Sequence, residues 1–186
     1  MSINKSIKRK LNFRFELRGI ILLGVLLLLI MIFSFLAPNF FKLNNFLNLG
    51  MHASLTAIAA IGMTYVMIAG GIDISVGAIM SISGVTTAYV LGATQDVAIS
   101  VLAGLAVGLI IGFINGVLVT KLRVNSIIVT IGTMAIIKGT VYLITQGRLI
   151  SYGRLESFTW MGPHRIGGIP MALIIMIAGF LIGSLI

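Results

Sequence analysis

Cysteine is absent from all 186 residues, which excludes disulfides, thiolate-bound metals and cysteine nucleophiles and leaves the redox compartment unmarked. Charge is nearly as scarce, at 9% of residues against about 25% in soluble domains. The four acids are Glu16, Asp73, Asp96 and Glu156, and from Leu43 to Thr120 the two aspartates are the only formal charges. His52 and His164 stand far apart with no carboxylate at ligand spacing, so no metal site is expected. With no nucleophile–base pair and no metal cluster, the chain lacks the parts of a membrane enzyme, and no cofactor is expected in it. No lysine follows a glycine, so a phosphate-binding P-loop is missing. If ATP powers this protein, another polypeptide binds the nucleotide.

What is present is apolar. Hydrophobic residues make up 59% of the chain and the mean hydropathy is +1.16. Uncharged runs recur that are long enough to cross a hydrocarbon core of about 30 Å, which takes roughly 20 helical residues. This composition predicts an all-α, polytopic transmembrane helix bundle of about six spans. The net charge of +9 sits at the ends of the apolar runs and in the loops between them, where it reports orientation in a lipid bilayer. No basic face with interleaved aromatics exists, so nucleic acid is not an expected partner.

Residues 1–18 carry Lys5, Lys8, Arg9, Lys10, Arg14 and Arg18 against Glu16. They form a basic cytoplasmic flank ahead of the transmembrane region, residues 19–186. The first span, about Gly19 to Ala37, is too long for the apolar core of a signal peptide, and Phe35 with Ala37 makes a poor cleavage site, so the helix is expected to stay attached. Pro38 and Asn39 stop it. Asn44 or Asn45 is the expected N-cap of span two, which runs to about Ala69. Span three covers Ile74 to Gly92, span four Val97 to Thr120 and span five about Asn125 to Thr145. A polar segment, Gln146 to Gly168, precedes a last apolar run. Tyr152 and Trp160 in it suit interfacial anchoring. Four spans separate the basic N-terminus from the Lys121/Arg123 loop, so one topology places both in the cytoplasm. The polar segment is then external despite Arg148, Arg154 and Arg165.

Span four holds Gly104, Gly108, Gly112 and Gly116 at i, i+4 spacing, which aligns them on one helix face. Such a smooth face lets a neighbouring backbone approach closely in lipid, or else lines a pore. Spans two and three repeat the theme with Ala53, Ala57 and Ala60, and with Gly77, Ser81 and Gly84. Asp73 lies in the stretch AGGIDISVGA. Gly70 is roughly 37 Å along span two from Asn45, which puts the turn at the cytoplasmic interface. Gly70 and Gly71 can adopt the left-handed conformation that ends a helix, and Asp73 can accept the free N–H of Ser75 or Val76 to start the next. Either that stop and restart is the whole account, or the turn also dips into the protein and gates a path. Lys138, inside span five, can snorkel to the interface or take part in transport.

The blocks APNFFKLNNFLNL, AIGMTYVMIAGGIDISVGAIMSISG, GFINGVLVTKLRVNSIIVTIGTMAIIKG and GGIP occur in order. Together they resemble the membrane permease subunit of bacterial ATP-binding-cassette importers for monosaccharides, the ribose-type permeases, from Pro38 to Pro170. The resemblance implies a multi-pass protein of the bacterial cytoplasmic membrane, with its N-terminus in the cytoplasm. It also implies a second permease copy, cytoplasmic ATP-binding subunits and an extracytoplasmic solute-binding protein as partners. Gly70, Gly71, Asp73, Ser75 and Gly77 match the family's signature turn, while Lys138-Gly139 stands where an arginine-glycine pair is usual. Family members continue through further spans and a cytoplasmic segment that grips the ATPase. A chain halting at GFLIGSLI is therefore expected to be a truncated permease. The alternative function is an ion-coupled secondary transporter or channel, which usually needs carboxylates buried within spans; only Asp73 comes near that.

Overall fold

The computed structural model describes residues 3–150 and 164–185, so Tyr152, Arg154, Glu156 and Trp160 lie outside the described residues. Among the described residues there are six helices: α1 Ile3–Leu36, α2 Leu43–Ile68, α3 Val76–Thr94, α4 Val97–Thr120, α5 Ser126–Thr145 and α6 Met171–Gly183. Five of them, α1 to α5, are long and apolar enough to cross a membrane, α1 through Gly19–Leu36. The sixth is apolar but has 13 residues, a rise of about 20 Å. Between α5 and α6 the strands β1 (Arg165–Ile166) and β2 (Ile169–Pro170) pair antiparallel. Gly167 (φ 60°) and Gly168 (φ 86°) supply the positive φ angles that a two-residue hairpin turn requires.

The helix boundaries follow from local chemistry. Asp96 caps α4 by accepting the Ile99 N–H at 3.0 Å, and Asn125 caps α5 by accepting that of Ile127 at 2.9 Å. The expected cap of α2 does not form. That helix begins at Leu43, because the Lys42 carbonyl already accepts the Asn45 N–H at 2.8 Å. Asn45 instead turns its side chain backward and donates to the Phe40 carbonyl at 2.8 Å. Helix α3 begins at Val76, two residues later than expected, because Asp73 and Ser75 are taken up by the turn before it.

Residues 1–49 and 50–186 form separate compact units. In the first, Phe40 stacks on Phe33 with ring centres 6.4 Å apart and meets Phe41 edge-on at 5.2 Å. These rings pack the turn that follows α1.

In the second unit the side-chain contacts define helix directions. Gly104 and Gly108 of α4 face Ser83 and Ile79 of α3 respectively, so the two helices run antiparallel. A Cβ on Gly104 would collide with Thr87 Oγ1 and lie 3.0 Å from the Ser83 carbonyl oxygen, which is why this contact needs glycine. Helices α3 and α5 run parallel: Ile72, ahead of α3, donates its N–H to Ser126 Oγ (3.2 Å), and Tyr89, near its end, donates to the Ile144 carbonyl (3.1 Å). Helices α2 and α6 are also parallel, with Gly50 against Leu173 and Tyr65 donating to the Gly183 carbonyl at 2.5 Å. Each direction agrees with a chain that crosses a membrane alternately. Small or polar residues, Ala78, Ser54, Ser75, Ser100, Asn115 and Thr130, are buried together with the larger Leu91, Val129 and Ile137, while most large aliphatic side chains point outward. That inversion suits helices solvated by lipid, where close approach and hydrogen bonds replace hydrophobic drive.

Candidate functional site

The turn after α2 is built by its backbone. Gly70 N–H donates to the Met67 carbonyl and Gly71 N–H to that of Val66, both at 2.9 Å, which is the Schellman pattern that closes a helix. Gly70 takes the left-handed conformation this demands (φ 81°); Gly71, expected to share it, does not. Asp73 then accepts the Ser75 N–H at 2.7 Å and the Ser75 hydroxyl at 2.6 Å on the same carboxylate oxygen. One aspartate therefore fixes both the backbone and the side chain of the residue that precedes α3.

Ser75 is fully buried, and its hydroxyl oxygen is shared. Asn115 of α4 donates its amide N–H to Ser75 Oγ at 3.1 Å, and Thr133 of α5 donates its hydroxyl to Asn115 Oδ1 at 2.6 Å. The chain Thr133, Asn115, Ser75, Asp73 thus links α5, α4 and the turn, with every donor pointing toward the carboxylate. Bonds aligned in this way polarise one another and strengthen cooperatively at low dielectric. They also tie a single carboxylate, through the turn, to two helices. The Ile72 N–H bond to Ser126 brings the turn beside the start of α5, which places it on the same side as the Lys121/Arg123 loop.

A cavity of about 410 Å³ opens beside these groups, bordered by Asp73, Asn115, Ser126, Thr130, Gly112 and Gly116. The glycine face of α4 is thereby divided. Gly104 and Gly108 serve the contact with α3, whereas a Cβ on Gly112 or Gly116 would meet nothing within 4 Å. Gly77 is exposed on the first turn of α3, and its Cβ position is likewise empty. Lys138 is exposed on α5 and borders a separate cavity with Ser81 and Gly84, away from the turn. The cavity beside Asp73 offers a carboxylate, an amide and hydroxyls along apolar walls, which suits weak hydrogen bonding to a polar solute rather than covalent chemistry.

Asn115 and Thr133 are functional candidates that reasoning on the sequence missed. Asn115 was the visible signal, since it is the one amide within the apolar run of α4.

Residues 45–165 match the family described as branched-chain amino acid transport system / permease component. The chain is 39% identical over 154 residues to the ribose import permease protein RbsC of Escherichia coli, covering 81% of this chain and 48% of that protein. It is 33% identical over 149 residues to the L-arabinose transport system permease protein AraH of Escherichia coli, covering 80% and 45%. It is 38% identical over 132 residues to the autoinducer 2 import system permease protein LsrC of Yersinia pestis, covering 71% and 37%. The chain spans about half the length of the curated relatives it matches, or less. No solved structure matches it. The turn, Asn115, Ser126 and Thr133 all fall within the matched residues.

Proposed function

The chain belongs to the branched-chain amino acid transport system / permease component family, and from that premise we propose that it acts as the permease subunit of an ATP-binding-cassette importer. Its solute is a monosaccharide or a sugar-like molecule, a class supported by the ribose, arabinose and autoinducer 2 permeases it resembles. It works in the bacterial cytoplasmic membrane with residues 1–18, the Asp73 turn and the Lys121/Arg123 loop facing the cytoplasm, as the distribution of basic residues supports. Cytoplasmic ATP-binding subunits, an extracytoplasmic solute-binding protein and a second permease copy complete the assembly. ATP hydrolysis belongs to those partner subunits.

The observation that carries this proposal is the hydrogen-bonded turn beside the 410 Å³ cavity. Gly70, Gly71, Asp73, Ser75 and Gly77 form the gating segment. Because Asp73 is tied through Ser75 and Asn115 to Thr133, displacement of the turn reaches α4 and α5 directly. A solute hydroxyl entering the cavity meets hydrogen-bonding groups that hold it weakly and release it. Reconstitution in proteoliposomes with cognate ATP-binding and solute-binding subunits provides the test. ATP-dependent uptake of radiolabelled ribose, arabinose or another sugar is expected. Uptake driven by a proton or sodium gradient without ATP would instead establish an ion-coupled transporter.

A further inference from the structure

Lys138 and Arg148 border one cavity of about 700 Å³ between α3 and the end of α5. Ser81, Tyr142 and Thr145 add hydroxyls to its wall, Met80 and Val85 add apolar surface, and among the described residues no carboxylate lines it. Among the described residues the side chains of Lys138 and Arg148 have no hydrogen-bond or ion-pair partner. The described aspartates are engaged elsewhere, Asp73 with Ser75 and Asp96 with Ile99. Lys138 lies about 10 Å along α5 from Thr145, where the helix ends. A lysine at that depth in an apolar helix calls for a counter-charge, and here two cations at different heights share one open recess. Gly84, with nothing within 4 Å of its Cβ position, keeps the floor of that recess clear.

We propose that this α3/α5 recess binds the headgroup of an anionic phospholipid, with Lys138 and Arg148 holding the phosphodiester and Met80 and Val85 flanking an acyl chain. A lipid supplies negative charge and hydrocarbon in one molecule at the end of an apolar helix, matching both parts of the wall. The site is separate from the Asp73 cavity and does not depend on the transport function.

The test titrates the full chain in detergent micelles with phosphatidylglycerol and with phosphatidylcholine, following bound lipid by native mass spectrometry. Phosphatidylglycerol is expected to bind more tightly. Lys138→Gln combined with Arg148→Gln should reduce its affinity about thirtyfold, from two charges near the membrane surface, without changing that of phosphatidylcholine. Lys138→Arg combined with Arg148→Lys should keep the preference, which separates loss of charge from misfolding. Equal affinity for the two lipids, or no effect of the double neutralisation, overturns the proposal. Displacement of phosphatidylglycerol by millimolar glucuronate or inorganic phosphate also overturns it, in favour of a soluble oxyanion.

Discussion

Asn115→Ala removes the donor to Ser75 Oγ and the acceptor for Thr133 in one step. Hydrogen bonds between membrane helices average about 0.6 kcal/mol and reach about 1.7, so losing two of them costs about 1–3 kcal/mol. Alanine has the better helix propensity, by about half a kcal/mol, which offsets part of that loss. Asn115 already borders the 410 Å³ cavity, so truncation enlarges an open space and leaves no sealed void. A double-mutant cycle with Thr133→Val removes the propensity change and isolates the 2.6 Å bond between Thr133 and Asn115. The expected coupling is about 0.6–1.7 kcal/mol, read from unfolding in mixed micelles titrated with dodecyl sulfate and followed by far-ultraviolet circular dichroism. Additivity of the two substitutions within about 0.3 kcal/mol would refute the hydrogen-bond chain as described.

Gly104→Ala should destabilise by about 1–3 kcal/mol through overpacking against Thr87 and Ser83, while Gly112→Ala should be neutral or stabilising by up to about 1 kcal/mol; thermal unfolding in detergent separates the two. Gly70→Ala should cost about 1–2 kcal/mol from left-handed strain, and Gly70→Asn less, in the same assay. Asp73→Asn retains an acceptor for Ser75 and should fold like the parent, whereas Asp73→Leu loses both bonds and about 1–3 kcal/mol. If both variants import solute like the parent in proteoliposomes, gating by the turn is wrong. The chain has no cysteine, so single probes are clean: Ile72→Cys and Arg123→Cys should label from one side of the membrane and Gln95→Cys and Gln146→Cys from the other.

Much of the architecture was legible before the structure. Apolar length set the helices, and α4 matched its expected bounds because polar residues, Asp96 and Lys121, bracket it tightly. The start of α2 was misplaced because KLNN offers several capping groups in a row, and which one closes the first turn depends on backbone geometry. Asp73 stood out as a carboxylate in an uncharged stretch, and GG before it read as a helix stop. Its partners did not stand out. Ser75, Asn115 and Thr133 are separated by 40 and 18 residues, and their meeting depends on how each helix is rotated about its axis. A helix apolar on every side carries no amphipathic stripe to fix that rotation. For the same reason glycine spacing marked one face of α4, but not that α3 would cover only the Gly104 and Gly108 half.

The paired ties at Ile72–Ser126 and Tyr89–Ile144 clamp α3 and α5 together near both of their ends. Two beams pinned at both tips cannot shear past each other without breaking a rivet. If the chain imports solute as proposed, the motion that does so would carry them as one spar, with its play taken up at joints such as the glycine corner beyond Ile68.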